Sequence, residues 1–139
     1  MKYLVIGLGH FGRTLAEVLT DNGHEVIGID LKEHRVDDVK NRISVAYIMD
    51  ATEREALRVL PLDEIDSAIV TIGHSLDFSL RVVAALKELK MKSIFARALD
   101  ATHKSILSAM NIEKIFIPES YAARLFATKF MNGDSEEMI

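Results

Sequence analysis

The chain has no cysteine. Disulfides, zinc–thiolate and iron–sulfur sites and thiol catalysis are therefore excluded, and the composition suits a reducing compartment. A surplus of positive charge is also missing: 17 Lys and Arg stand against 21 Asp and Glu, a formal net charge of −4. No electrostatic footprint for nucleic acid follows from that balance. Long apolar runs are absent too. The first, Tyr3–Ile6, follows a lysine and stops at Gly7, short of the ~7–15 residues of a secretory signal core and the ~20 of a membrane-spanning helix. The sequence reads as a mature cytoplasmic chain whose work at a membrane, if any, goes through a partner. Glycine is scarce, seven in 139 residues, yet Gly7, Gly9 and Gly12 are clustered. The length is that of one domain at about 100–200 residues each. A content of 49% hydrophobic and 27% charged residues is that of a folded globule, not of a disordered, collagen-like or coiled-coil chain.

Short, nearly continuous apolar segments recur at Lys2–Ile6, Glu25–Ile29, Ser44–Ile48, Ser67–Ile72, Ser93–Ala96 and Lys114–Ile117. Such segments suit strands buried on both faces of a parallel sheet. Helical periodicity fills the intervals, at about residues 11–22, 33–41, 53–60, 76–89, 101–110 and 119–131. Phe11, Leu15, Val18 and Leu19 form one apolar stripe, and Leu76, Leu80, Val83, Leu86 and Leu89 another, each expected to lie on the sheet. Asn22-Gly23 closes the first helix; Thr52 and Glu55 have capping-box spacing for the third, which Pro61 ends. Six alternations of strand and helix predict an α/β fold of Rossmann type, a doubly wound parallel six-stranded sheet with right-handed crossovers. The domain is expected over residues 1–131, with 132–139 a frayed tail or the start of a linker.

Gly7-Leu8-Gly9-His10-Phe11-Gly12 follows the first strand directly and opens the first helix. In that setting the first glycine permits a tight turn, the second lets a pyrophosphate approach the backbone, and the third packs helix on strand. Free amides at the helix start then face the anion, helped by the helix dipole. Asp30, followed by Leu31, ends the second strand, 18 residues beyond Gly12, where a carboxylate can accept both ribose hydroxyls. A 2′-phosphate would meet a like charge there, so NAD(H), ATP, ADP and AMP are favoured over NADP(H). The plainer alternative is a tight strand–helix turn with Asp30 capping the next helix. The spacing is not the GxxxGxG loop of short-chain dehydrogenases, and Val5 and Ile6 stand where methyltransferases usually carry an acid.

With these motifs in order, GLGHFG, Ile29-Asp30, Asp50-Ala51-Thr52, Thr71-Ile72-Gly73, Ala96-Arg97 and Ile117-Pro118-Glu119, each at a strand end, the chain resembles the RCK/KTN (TrkA-N) nucleotide-binding domains. It looks most like the cytosolic gating subunit of Ktr/Trk potassium uptake systems. The resemblance implies a non-enzymatic regulatory domain that binds NAD(H) or ATP/ADP above the strand ends. It also implies a homodimer through a C-terminal crossover helix, a ring of eight domains, and a potassium channel or transporter subunit as membrane partner. By position, Gly7, Gly9 and Gly12 would hold phosphates, Asp30 the ribose, and Asp50-Ala51-Thr52 the adenine rim. Thr71, Ile72 and Gly73 would floor the cleft, with Arg97 near the phosphates and Glu119 reaching a nucleotide-associated cation such as magnesium, or the dimer neighbour. His10 stands where ATP-responsive members often carry Arg, which leaves ATP-over-ADP discrimination open. Many members also carry a further C-terminal domain, which would begin near the end of this chain.

Several residues have plainer readings. Asp50 can simply end a strand and Thr52 cap a helix; Arg97 can be a solvated or salt-bridged strand end; Glu119 can only bring negative charge to a helix start. His10, His24, His34, His74 and His103 make no convincing metal-ligand pair, His74 with Asp77 and His34 with Asp38 coming nearest. Tyr121, Ala122, Leu125, Phe126 and Phe130, with Met131 beside them, form an apolar face that packs either on the home sheet or on a neighbouring subunit. The competing reading of the whole chain is the cofactor domain of an NAD-dependent oxidoreductase, for which His74 and His10 are the available proton donors.

Overall fold

The structure, a computed structural model, describes residues 1–133. Six strands, β1 (Lys2–Ile6), β2 (Glu25–Asp30), β3 (Val45–Ile48), β4 (Ser67–Val70), β5 (Ile94–Arg97) and β6 (Lys114–Phe116), form one parallel sheet in the order β3-β2-β1-β4-β5-β6. Between them run α1 (His10–Asp21), α2 (Glu33–Val39), α3 (Arg54–Leu57), a 3-10 turn (Leu62–Glu64), α4 (Leu76–Glu88) and α5 (Ala101–Ala109), and α6 (Pro118–Met131) follows β6. The chain winds outward from β1 in one direction and from β4 in the other. A crevice therefore opens above the ends of β1 and β4, where ligands settle in doubly wound sheets.

Side chains alternate across each strand, so one stretch of sequence feeds two cores. Leu4, Ile6, Ile27, Ile29 and Val70 face one layer, with Leu57, Val82, Val83, Leu86 and Leu107 packed over them. Val5, Val26 and Ile69 face the other, under Leu8, Ala16, Val36 and Val39. Of the six continuous apolar strands foreseen in the sequence, β1, β2 and β4 are the ones buried on both sides, whereas the edge strands β3 and β6 are half-buried or exposed, with Tyr47 and Ile48 at 44% and 56%. A polar pair is sealed in this framework: His103 and Ser79 have no exposed surface, His103 Nε2 lies 3.2 Å from Ser79 Oγ, and Nδ1 accepts the Leu99 amide, 2.9 Å away. The Leu99 bond makes Nδ1 the acceptor, so Nε2 carries the proton.

Local expectations fail at two points, the start of α3 and the buried face of α1. Helix α3 is one turn long, and its N-cap is Glu53 with no side-chain cap bond, so Thr52 and Glu55 make no capping box. Thr52 turns back instead, donating its hydroxyl and amide to Asp50 Oδ1 at 2.7 and 3.0 Å, a local bond that competes with capping. Val18, placed on the buried stripe of α1, is 50% exposed, because the small residues Gly12 and Ala16 are what α1 presses on the sheet. Of the expected tail, Asn132 caps α6 and Gly133 adopts φ 74°, while residues 134–139 lie outside the described residues. Helix α6 buries none of its residues: Tyr121, Leu125, Phe126, Phe130 and Met131 are all at least half exposed to within a few per cent, the lowest being Phe126 at 49%. Packing of that face on the home sheet is thereby excluded.

Candidate functional site

The glycine loop is held from three sides. Gly7 sits at φ 102°, a conformation side chains rarely adopt, and its N–H donates to the Ile29 carbonyl at 2.9 Å. Its own carbonyl accepts the Thr71 hydroxyl at 2.7 Å, and that hydroxyl also lies 3.1 Å from the Ile6 carbonyl. Leu8, buried beneath the loop, donates its amide to Asp30 Oδ2 at 2.7 Å. Asp30 is only 8% exposed; its other oxygen accepts the Lys32 amide at 2.8 Å, and Arg35 Nη1 lies 3.7 Å from Oδ2. The carboxylate thus braces loop and turn together, besides facing the cleft.

Above the loop lies a cleft of about 220 Å³. Gly7, Gly9, His10, Phe11 and Gly12 form one wall, Asp30, Leu31 and Ala51 a second, and Thr71, Ile72, Gly73 and Arg97 a third. Four expected residues stay out of the lining. Leu8 contributes only its amide, as described; Asp50 and Thr52 close their own turn behind Ala51; Glu119 reaches the site only by pairing with Arg97 Nη2. Lining residues the sequence reading missed are the strand-end Ile6 and Ile29, with Lys32, Arg35, Met49 and Phe78. Arg35 carried a readable signal, a cation in the first turn of the helix that follows the strand-end acid; Met49 and Phe78 carried none. His74 does reach the rim, its ring 6.4 Å from that of Phe78. Among the described residues no three His, Asp or Glu side chains gather in a metal-holding group.

The two later glycines answer to different demands. A Cβ at Gly12 would stand 1.8 Å from the Gly7 carbonyl oxygen, so the fold itself requires glycine there. A Cβ at Gly9 would meet nothing nearer than Arg35 Nη1 at 3.8 Å, and Gly9 has the ordinary backbone angles φ −67° and ψ −173°. Nothing in the protein needs glycine at that position, and the space a side chain would take opens on the cleft. Gly9 is also the N-cap of α1 and brings no side-chain acceptor, so the first-turn amides keep their capacity for an anion. An adenosine nucleotide fits this set: amides for phosphate, a carboxylate for ribose hydroxyls, apolar Ile72, Ala51 and Met49 for a base.

Known proteins agree with this architecture. The chain is 32% identical over 133 residues to Ktr system potassium uptake protein C of Bacillus subtilis, covering 96% of this chain and 60% of that protein. To Ktr system potassium uptake protein A of Vibrio alginolyticus it is 30% identical over 118 residues, 85% of this chain and 54% of that one. It therefore spans little more than half the length of these relatives. UDP-N-acetyl-D-mannosamine dehydrogenase of Methanococcus vannielii is 50% identical, but over 40 residues, 29% of this chain and 9% of the enzyme. Among solved structures, the NAD(P)-binding domain of an exopolyphosphatase-related protein from Archaeoglobus fulgidus superposes with a TM-score of 0.84 at 22% identity, covering 94% of this chain and 97% of that one. The Kef CTD of Shewanella denitrificans in AMP-bound form gives 0.75 at 16% identity, over 98% and 85%. For the GsuK channel bound to NAD the values are 0.73 at 16%, over 84% and 21%. These three likenesses establish a shared fold. Residues 3–118 match the TrkA-N domain, and with the glycine loop, the strand-end acid and the strand order all in register, the chain belongs to the TrkA-N (RCK/KTN) family.

Proposed function

We propose that this chain is a nucleotide-sensing regulatory domain without catalytic turnover, binding NAD(H), ATP, ADP or AMP across the cleft and passing a change of dimer geometry to a potassium channel or transporter. The observation that carries the nucleotide reading is Gly9, a glycine the fold does not need, facing the cleft over unpaired helix-start amides. Gly7, Gly9 and Gly12 would seat the phosphates, with Leu8, His10 and Phe11 shaping the loop, and Asp30 would take the ribose. Its carboxylate disfavours the 2′-phosphate of NADP(H), although Arg35 at 3.7 Å offsets part of that preference. Leu31 and Ala51 would border the base, Asp50 and Thr52 supporting Ala51 from behind. Magnesium, where it accompanies a nucleotide, would have to draw Glu119 away from Arg97.

The transport reading draws on the Ktr relatives, and the ligand reading gains from the AMP of the Kef CTD and the NAD of GsuK. The exposed face of α6 supports a homodimer through that helix, and the family resemblance adds a ring of eight at the cytoplasmic face of the membrane protein. No helix of the described residues is long and apolar enough to cross a membrane. Domain bounds of 1–131 go with this reading. Mechanism then reduces to differential binding: a ligand moves the dimer only by the difference in its affinity for two geometries, and a 1:99 to 99:1 shift needs about 10⁴-fold. Calorimetric titration with NAD⁺, NADH, NADP⁺, ATP, ADP and AMP, with and without Mg²⁺, tests it. Binding of at least one nucleotide without a 2′-phosphate is expected, and binding of none would refute the reading. The short dehydrogenase match motivates a control with NADH and a carbonyl panel, in which no oxidation is expected.

A further inference from the structure

Arg97 belongs to the cleft and to α6 at once. Its guanidinium carbon lies 5.4 Å from the centre of the Phe11 ring, a cation–π contact with the glycine loop. It also rests so closely on Gly73 that a Cβ there would stand 2.8 Å from Cζ. Seated between these walls, the side chain keeps 15% exposure, and its Nε is buried with no hydrogen-bond partner among the described residues. Among the described residues the guanidinium is hydrogen-bonded only at its outer end: Nη2 donates to Glu119 Oε2, in the first turn of α6, on a side chain that is 65% exposed. A cleft cation with donor capacity unused is thus tied to the helix that carries the exposed apolar face.

We propose that the Arg97–Glu119 pair is a latch on α6 which a ligand phosphate in the cleft opens. The inference rests on the nucleotide reading above and adds the route from ligand to helix. A guanidinium offers its donors in a rigid fork, and a phosphate can satisfy two of them together where Glu119 takes one. Released, Glu119 is hydrated at little cost because it is already mostly in water. The phosphate therefore displaces it, and the first turn of α6, which begins with Pro118 and has no side-chain cap, loses its tie to the cleft. Ligands without a phosphate leave the latch closed. Coupling is reciprocal: whatever docks on α6 and holds Glu119 against Arg97 weakens the phosphate's hold by the same factor.

The test uses Glu119→Gln, a change of charge at an exposed position that leaves Arg97 in place. Adenosine, AMP and ADP are titrated calorimetrically into both proteins, and hydrogen exchange is followed in the first turn of α6. The variant is expected to bind AMP and ADP about five- to tenfold more tightly and adenosine within about twofold of the wild type. In the wild type AMP should speed exchange in that turn; in the variant exchange is fast from the start and unresponsive. Glu119→Asp, which keeps the charge but shortens the reach, should behave like Glu119→Gln. Unchanged or weaker AMP binding in Glu119→Gln, with normal binding by the wild type, overturns the latch and leaves the nucleotide reading intact. If the wild type takes NAD⁺ or ATP in place of AMP and ADP, the same comparison is made with that nucleotide; if it binds none of them, the nucleotide reading fails and the latch with it.

Discussion

Adding one methyl group at each of two neighbouring glycines separates what the fold demands from what a ligand demands. At Gly12 the new carbon would stand 1.8 Å from the Gly7 carbonyl oxygen and 2.5 Å from Thr71 Oγ1. Non-bonded heavy atoms settle at about 3.5 Å, so α1 would have to leave the loop by about 1.7 Å. Overpacking on that scale costs ~3 kcal/mol, the upper end of the usual range. Unfolding entropy of about 2.1 cal/mol/K per residue gives 139 residues about 0.3 kcal/mol per degree, so Gly12→Ala should lower Tm by about 10 °C. Gly9→Ala meets no such obstacle, its nearest neighbour being 3.8 Å away. Alanine is a poorer N-cap than glycine by about 0.5 kcal/mol, and it restricts the unfolded chain by a similar amount in the opposite sense. Tm should therefore stay within about 2 °C, while AMP and NAD⁺ lose at least about tenfold in affinity, ~1.4 kcal/mol, because the methyl occupies the phosphate seat. Differential scanning calorimetry and titration read the two effects separately. Nucleotide affinity in Gly9→Ala within twofold of the wild type would refute the assignment of that space, and an unshifted Gly12→Ala would refute the packing argument.

Asp30→Ala should weaken nucleotide binding and also destabilise the free protein by ~1–3 kcal/mol, since the Leu8 and Lys32 amides lose their acceptor; a wild-type melting curve for the variant would contradict the bracing role. Burial holds the His103 imidazole below its usual value of 6.5, against the pull of Asp100. The unfolded chain therefore takes up that proton first, and stability falls as the pH drops below about 6.5, by up to ~1.4 kcal/mol per unit. Urea melts from pH 7.5 to 5 should have a flatter pH dependence in His103→Gln, and parallel curves would count against the buried, neutral imidazole. Leu125→Asp, at a position 53% exposed, should leave the monomer's stability within about 0.5 kcal/mol while lowering the mass seen by sedimentation velocity. A mass equal to the wild type's would remove α6 as the dimer contact.

The sheet was readable because burial on both faces leaves strands such as Val26–Ile29 and Ala68–Val70 almost wholly apolar. A period-two or period-3.6 test cannot misplace such segments when Gly7 or Asn22-Gly23 marks their ends. Short-range rivalry was harder: Thr52 has two acceptors in reach, a helix start and the Asp50 carboxylate, and sequence spacing does not say which wins. Val18 fits an apolar stripe, but contact distance is set by Gly12 and Ala16, which let α1 approach with a different face. At the site, the loop and Asp30 were legible because each sits at a strand end whose place in the fold is fixed. The pairing of Arg97 with Glu119 joins residues 22 apart through the turn after β6, and only tertiary structure brings them together.

The bonds that fix the glycine loop also bear on rates. Gly7, Leu8 and Thr71 are tied to Ile29, Asp30 and the loop carbonyl by the protein's own hydrogen bonds, so the loop takes its shape from groups other than a ligand's. Entry to the loop should then be governed by diffusion and by the cations at the rim, much alike for every nucleotide, with release of Glu119 from Arg97 following it. What tells one nucleotide from another would be how long it stays.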